Sequence, residues 1–184
     1  MTKEGSNVSD SEKKIKNQLE ILKRIDTYIG TTNTKCTIIM SYCAAATAFI
    51  FTLLAKLSPA GASVQLMVAI GVFSVLSLAL ALWCMVLATL TIFPMTFSKP
   101  GSPKGESLIF YGDITSISSG ENYSQQVQKA SDEEFLKDLN GQVYTLASIA
   151  SNKFSRIKFV TIILMAHFGC MAAVLAGAVI YYLF

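Results

Sequence analysis

The sequence predicts a mainly α membrane protein. Its plan is three transmembrane helices with a small cytoplasmic domain formed by helical extensions (residues about 12–32 and 122–158), plus a short strand or loop near 107–115. Two observations carry this expectation. Only 15% of the 184 residues are charged, against about 25% in ordinary globular domains. The charge is also segregated: none lies between Lys56 and Lys99, and none from Phe159 to the last residue. Long apolar runs alternating with charged, breaker-containing segments are the pattern of spans separated by wet chain.

The elements follow in order. Residues 1–11 are polar, lack a hydrophobic period, and are expected to be disordered. From Glu12, the residues Ile15, Leu19, Leu22, Ile25 and Ile29 recur at helical steps, with Lys13, Lys14, Lys16, Glu20, Lys23 and Arg24 on the other faces. This amphipathic helix completes a first segment, 1–35, and is expected to loosen at Gly30-Thr31-Thr32-Asn33. Residues 36–57 form span one, long enough to cross the hydrocarbon at about 1.5 Å per residue. Pro59 and Gly61 make 58–63 a tight turn. Span two is 64–93, and Pro94 stops it.

The domain 94–158 opens with a breaker-rich loop around Ser98 to Gly105. The apolar Ser107 to Ile114 stretch is too short to span, and reads as a strand or as a loop that plugs the domain. A short helix is expected around Tyr123 to Lys129. Ser131 with Glu134 three residues on is a capping box, and it starts a long helix with Phe135, Leu139, Val143, Leu146, Ala150, Phe154 and Ile157 on its apolar face. No turn signal separates it from span three, 159–184, so the whole helix is expected to be about 80 Å long. Gly141 is its weak point. The two charged blocks hold seven Lys/Arg each, and the 58–63 turn holds none. The positive-inside rule therefore places both blocks and the N-terminus in the cytoplasm and the C-terminus outside.

Several classes of chemistry are disfavoured. A net charge of +3 is too small to argue for a nucleic acid polymer. Cys36, Cys43, Cys84 and Cys170 make no metal spacing, and read as packing residues rather than disulfides or ligands. His167, the single histidine, falls inside span three, so no histidine triad or histidine metal cluster belongs to the wet part. It is either a neutral imidazole bonded to a neighbouring helix or a gating group. Gly169, Ala173 and Gly177 stand four residues apart, as do Ala44 with Ala48 and Ser77 with Ala81. Such small residues let helices approach closely, within one protomer or between protomers. Lys153, Arg156 and Lys158 are an ordinary juxtamembrane basic patch. With Arg24 and Lys35 they also suit an anionic small ligand. No catalytic motif, cofactor motif or metal site is found.

Asn33-Thr34-Lys35, Phe93-Pro94, Leu108-Ile109-Phe110-Tyr111-Gly112-Asp113-Ile114, Tyr123, and Gln142-Val143-Tyr144 with Ile149-Ala150 and Lys153-Phe154 stand in order between three spans. In this the chain, from about Asp26 onward, resembles the Pycsar effector transmembrane family (PycTM). It departs from the family's pattern at Asn33 and Cys36, where an Asp and an Ala are usual. The resemblance implies an effector of bacterial anti-phage immunity in the inner membrane. Such an effector senses cyclic CMP or cyclic UMP made by a companion cyclase and impairs the membrane, causing abortive infection. On that reading the protein is not an enzyme and forms a homo-oligomer. Arg24, Lys35, Lys153 and Arg156 are the candidate phosphate contacts, with Tyr111 and Tyr144 for base stacking. The alternative is an accessory membrane subunit whose cytoplasmic helices dock a partner protein without sensing a ligand. A membrane enzyme is the remaining, least favoured reading.

Overall fold

The computed structural model describes residues 2–58, 63–94 and 107–183. Among these, 90% are helical and none lies in a strand. The helices are α1 Thr2–Lys56, α2 Val64–Ile92, α3 Tyr111–Ile114, α4 Gly120–Lys129 and α5 Asp132–Leu183. Three of them, α1, α2 and α5, are long and apolar enough to cross a membrane. The chain divides into two compact units. A polar unit comprises Met1–Gly30 and Pro94–Asn152, and a span unit comprises Thr31–Phe93 and Lys153–Phe184. Most of the 58–63 turn and the 98–105 loop lie outside the described residues.

Two expectations are corrected, and one left open is decided. The start is helical from Thr2 rather than disordered. Extending an established helix adds one hydrogen bond per residue with no new nucleus, and Lys14 pairs with Asp10 one turn back. The helix does not loosen at 30–33. Thr32 is buried, and the Asn33 side chain accepts a hydrogen bond from Lys153, which holds this turn. Of the two readings of 107–115, the loop holds: it is a loop followed by the single turn of α3. Its backbone N–H groups at Ile109 and Phe110 are taken by the Ser107 hydroxyl, at 3.2 and 2.9 Å, so they are not offered to a ladder.

In the polar unit, the inward positions of α1 are Ser11, Ile15, Gln18, Leu22, Ile25 and Ile29, a strict alternation of four and three. Gln18 therefore stands where Leu19 was expected, and Leu19 is exposed. Fully buried Leu139 of α5 marks the unit's core. The capping box forms as read. Ser131 N–H donates to Glu134 Oε2 at 2.9 Å, and Glu134 N–H donates to Ser131 Oγ at 3.3 Å. The Ser131 backbone N–H, then its hydroxyl, hold the Glu134 carboxyl below its ordinary pKa.

The span unit is a three-helix bundle on a seven-residue register. The buried residues of α2 are Ile70, Ser74, Ser77, Ala81, Cys84, Ala88 and Thr91. All but Ile70 are small, which lets the neighbouring helices approach closely where lipid gives no hydrophobic drive to associate. Against them α5 runs antiparallel. Lys153 donates to Thr91 O, Cys84 Sγ to Val160 O at 3.8 Å, and His167 bonds Ser77 at 3.0 Å. Each of these pairs is seven residues from the next on both helices, the period of a left-handed supercoil. From α1, Cys43 packs on Ala81 and Cys84, and Ile50 packs with Met171. The Tyr181 hydroxyl donates to Ser58 O and accepts from Ser58 N–H, joining the ends of α5 and α1.

The small-residue stripe divides. A Cβ on Gly177 would lie 2.7 Å from Ile70 Cγ1, so any larger residue would push Ile70 of α2 aside. Ala173 is half-buried, while Gly169 has nothing within 4 Å and faces out of the bundle. Ala44 and Ala48 are likewise exposed; Ser77 and Ala81 are buried.

Candidate functional site

The period of α5 decides what its basic residues do. Leu139, Lys153, Val160, His167 and Val174 are all buried, at positions a multiple of seven apart. Reading the apolar face from hydrophobicity alone puts Phe154 inside and Lys153 outside. The structure reverses them: Lys153 is 3% exposed and Phe154 45%. The Lys153 ammonium donates to Asn33 Oδ1 at 2.9 Å, to Thr91 O, and more weakly to Ile92 O at 3.4 Å. The last carbonyls of α2 have no partner within their own helix and carry its negative dipole end. Lys153 satisfies them and draws in α1 through Asn33. Its three donors are thereby committed, so it is a clamp on three helices and not a free phosphate contact. Arg156 adds to the same cap, donating from Nη1 to Leu90 O at 3.0 Å, but it remains exposed. Lys35 is exposed on α1.

His167 is fully buried, with Nδ1 3.0 Å from both the Ser77 carbonyl oxygen and the Ser77 hydroxyl. A carbonyl only accepts, so Nδ1 is the donor in this bond. Nε2 is buried with no partner among the described residues. Tyr42 of α1 meets the ring edge-on at 5.6 Å between centroids.

In the polar unit, a polar network pins the 107–110 loop. Asp138 Oδ2 accepts from the Ser107 hydroxyl at 3.1 Å and from Leu108 N–H at 2.9 Å. Asp113 Oδ2 accepts from Ser107 N–H at 3.3 Å, Gln142 donates to the Ser107 hydroxyl at 3.1 Å, and Tyr123 donates to Leu108 O at 2.9 Å. Asp113 and Asp138 are thus structural acceptors. Two grooves flank this network. One, of about 400 Å³, is lined by Ser116, Ser118, Asn122, Gln125, Gln126 and Lys129. The other, of about 440 Å³, shares Gln126 and Lys129 and adds Leu108, Phe135, Glu134 and Asp138. Both fall within the size of small-molecule sites. The first has hydroxyls, amides and one ammonium with no carboxylate in its lining, so it suits an anion with a polar ring.

The polar-unit residues expected at a ligand are not gathered there. Arg24 is exposed, Tyr144 is 75% exposed, and Tyr111 stacks on Phe110 at 4.9 Å between centroids; none lines either groove. The lining of the first groove is mostly uncharged: Asn122, Gln125 and Lys129 follow one another on α4 at steps of three and four, one helical face, with Ser118 just before the helix.

The fold and these sites define the class: a three-span membrane protein with a small helical domain built on extensions of its spans. The chain belongs to the PycTM family, described as the Pycsar effector protein domain, whose family model matches residues 17–182. It is therefore a membrane effector of Pycsar anti-phage defence. No curated protein and no solved structure matches it.

Proposed function

We propose that this effector responds to a cyclic pyrimidine nucleotide, cCMP or cUMP, in its polar unit, and that the response impairs the bacterial inner membrane and aborts infection. The observation that carries the reading is the family match, which runs from residue 17 to residue 182 and so takes in both units. Seven Lys/Arg in each charged block, against none in the 58–63 turn, support a cytoplasmic polar unit and N-terminus and a periplasmic C-terminus. The protein acts without turnover, as a binding module and a homo-oligomer. Helices α1 and α5 each contribute to both units without interruption, which supports transmission along the helices themselves.

Within the polar unit, the groove beside α4 is the preferred nucleotide site. Lys129 supplies the cation for the cyclic phosphate, and Asn122, Gln125 and Gln126 offer both donors and acceptors to a pyrimidine edge. Calorimetry on the purified full chain in detergent tests this, with cCMP and cUMP against cAMP. Heat with one pyrimidine nucleotide is expected, weakened about ten-fold in Lys129→Ala, the loss of one charge-assisted bond. No heat with either pyrimidine nucleotide removes the sensing claim. Unchanged affinity in Lys129→Ala moves the site elsewhere.

A further inference from the structure

The span unit contains five cations, Lys35, Lys56, Lys153, Arg156 and Lys158, and no Asp or Glu. Among the described residues the one ion pair is Lys14 with Asp10, in the polar unit. The cations of the span unit therefore have no carboxylate of their own. Lys153 is satisfied by carbonyls, whereas Arg156 is not. Its guanidinium has five N–H donors in a rigid fork, and its one protein partner among the described residues is Leu90 O.

Arg156 lines a groove of about 390 Å³ between the end of α2 and α5. Leu87, Leu90 and Phe159 are its apolar walls, and Ser155 lines it with Arg156. Leu90 and Phe159 are 52% and 53% exposed. The groove sits where the charge-free run of span three begins, at Phe159. An apolar trough with a cation in its lining, in a unit with no Asp or Glu, is complementary to one kind of molecule: an amphiphile with an anionic head.

We propose that this groove holds an anionic glycerophospholipid, its phosphate on Arg156 and the Ser155 hydroxyl and an acyl chain along Leu87, Leu90 and Phe159. Arginine suits the phosphate because its planar fork donates two parallel bonds. The volume accommodates only part of a lipid, so the rest of the molecule remains in the bilayer, and the site is a tether rather than a pocket. The proposal is independent of nucleotide sensing.

The single tryptophan provides the readout. Trp83 is 53% exposed and lies four and seven residues before Leu87 and Leu90, on the same face of α2. The full chain is placed in phosphatidylcholine vesicles, and phosphatidylglycerol with brominated acyl chains is titrated against brominated phosphatidylcholine at equal mole fraction. Trp83 quenching in excess of the phosphatidylcholine value, saturating with phosphatidylglycerol, is the expected result. The affinity should fall about ten-fold in Arg156→Ala and hold in Lys158→Ala. Ser155→Phe, a change at an exposed position, fills the trough without touching the α2 cap and should abolish the excess. Equal quenching by the two lipids overturns the proposal. So does an excess that Lys158→Ala lowers as much as Arg156→Ala, which means a diffuse basic collar. So does an excess that survives Ser155→Phe, or one that vanishes as protein density rises, which means that a second copy of the chain covers the groove.

Discussion

Lys153→Met isolates the clamp on the three spans. The substitution keeps a long unbranched side chain and removes the ammonium. Thr91 O and Asn33 Oδ1 then lose their donor, and Ile92 O loses a weaker one. A buried acceptor left unmet costs about 1–3 kcal/mol, so the two firm bonds are worth about 2–6 kcal/mol. Against this stands relief of the desolvation of a cation that is 3% exposed, itself worth several kcal/mol. The net expectation is a loss of about 2 kcal/mol, which for 184 residues lowers Tm by about 4–8 °C. Thermal unfolding of the detergent-solubilised chain by far-UV circular dichroism measures it, with Lys158→Met as the exposed control, expected within about 0.5 kcal/mol of wild type. A Lys153→Met protein as stable as wild type, or more so, refutes the clamp: the ammonium would then cost as much as it holds.

Three further outcomes are expected. Gly177→Ala forces Ile70 to move and should cost about 1–3 kcal/mol, whereas Gly169→Ala, with open space, should be neutral or stabilise by about 0.5–1 kcal/mol; comparing their melting temperatures checks the α2–α5 contact. Ser107→Ala removes the hydroxyl shared by Ile109, Phe110, Asp138 and Gln142, and should destabilise the polar unit by about 1–3 kcal/mol, seen as faster amide exchange at 107–114. The folded-state pKa of Glu134 is depressed, so its contribution is present above the ordinary carboxylate pKa and is lost as pH falls through the lowered value. Acid should therefore speed amide exchange in the first turn of α5, and Glu134→Gln, which keeps a capping amide, should remove that pH dependence.

Three spans and the Ser131 cap were legible because each rests on local pattern: a charge-free run of sufficient length, or two residues three apart. The place of Lys153 was not. Hydrophobicity pointed to Phe154, and only the spacing from Leu139 through Val160 and His167 to Val174 carries the register that puts a lysine inside. A seven-residue period and a 3.6-residue period separate slowly, so one helix read alone does not distinguish them. The 107–110 loop was hidden for another reason. Its anchors, Asp138 and Gln142, lie about thirty residues away in sequence, and nothing local marks an aspartate as an acceptor for a distant loop. The polar face of α4 carries little charge or aromatic signal: its groove is lined by serine and amide side chains with the single cation Lys129.

The register shared by α2 and α5 also constrains how the bundle can move. Sliding one helix along the other by a single turn would carry Lys153 away from the carbonyls of Thr91 and Ile92, take His167 off Ser77, and drive Ile70 into a residue larger than Gly177. The next position that restores a repeating match lies seven residues on, about 10 Å away. Small piston strokes between these helices therefore cost all of these contacts at once. Motion that keeps the polar bonds until they break together, a splaying or a rotation outward, is open. The seam thus ties α2 and α5 through contacts that share one register, from Lys153 to Gly177.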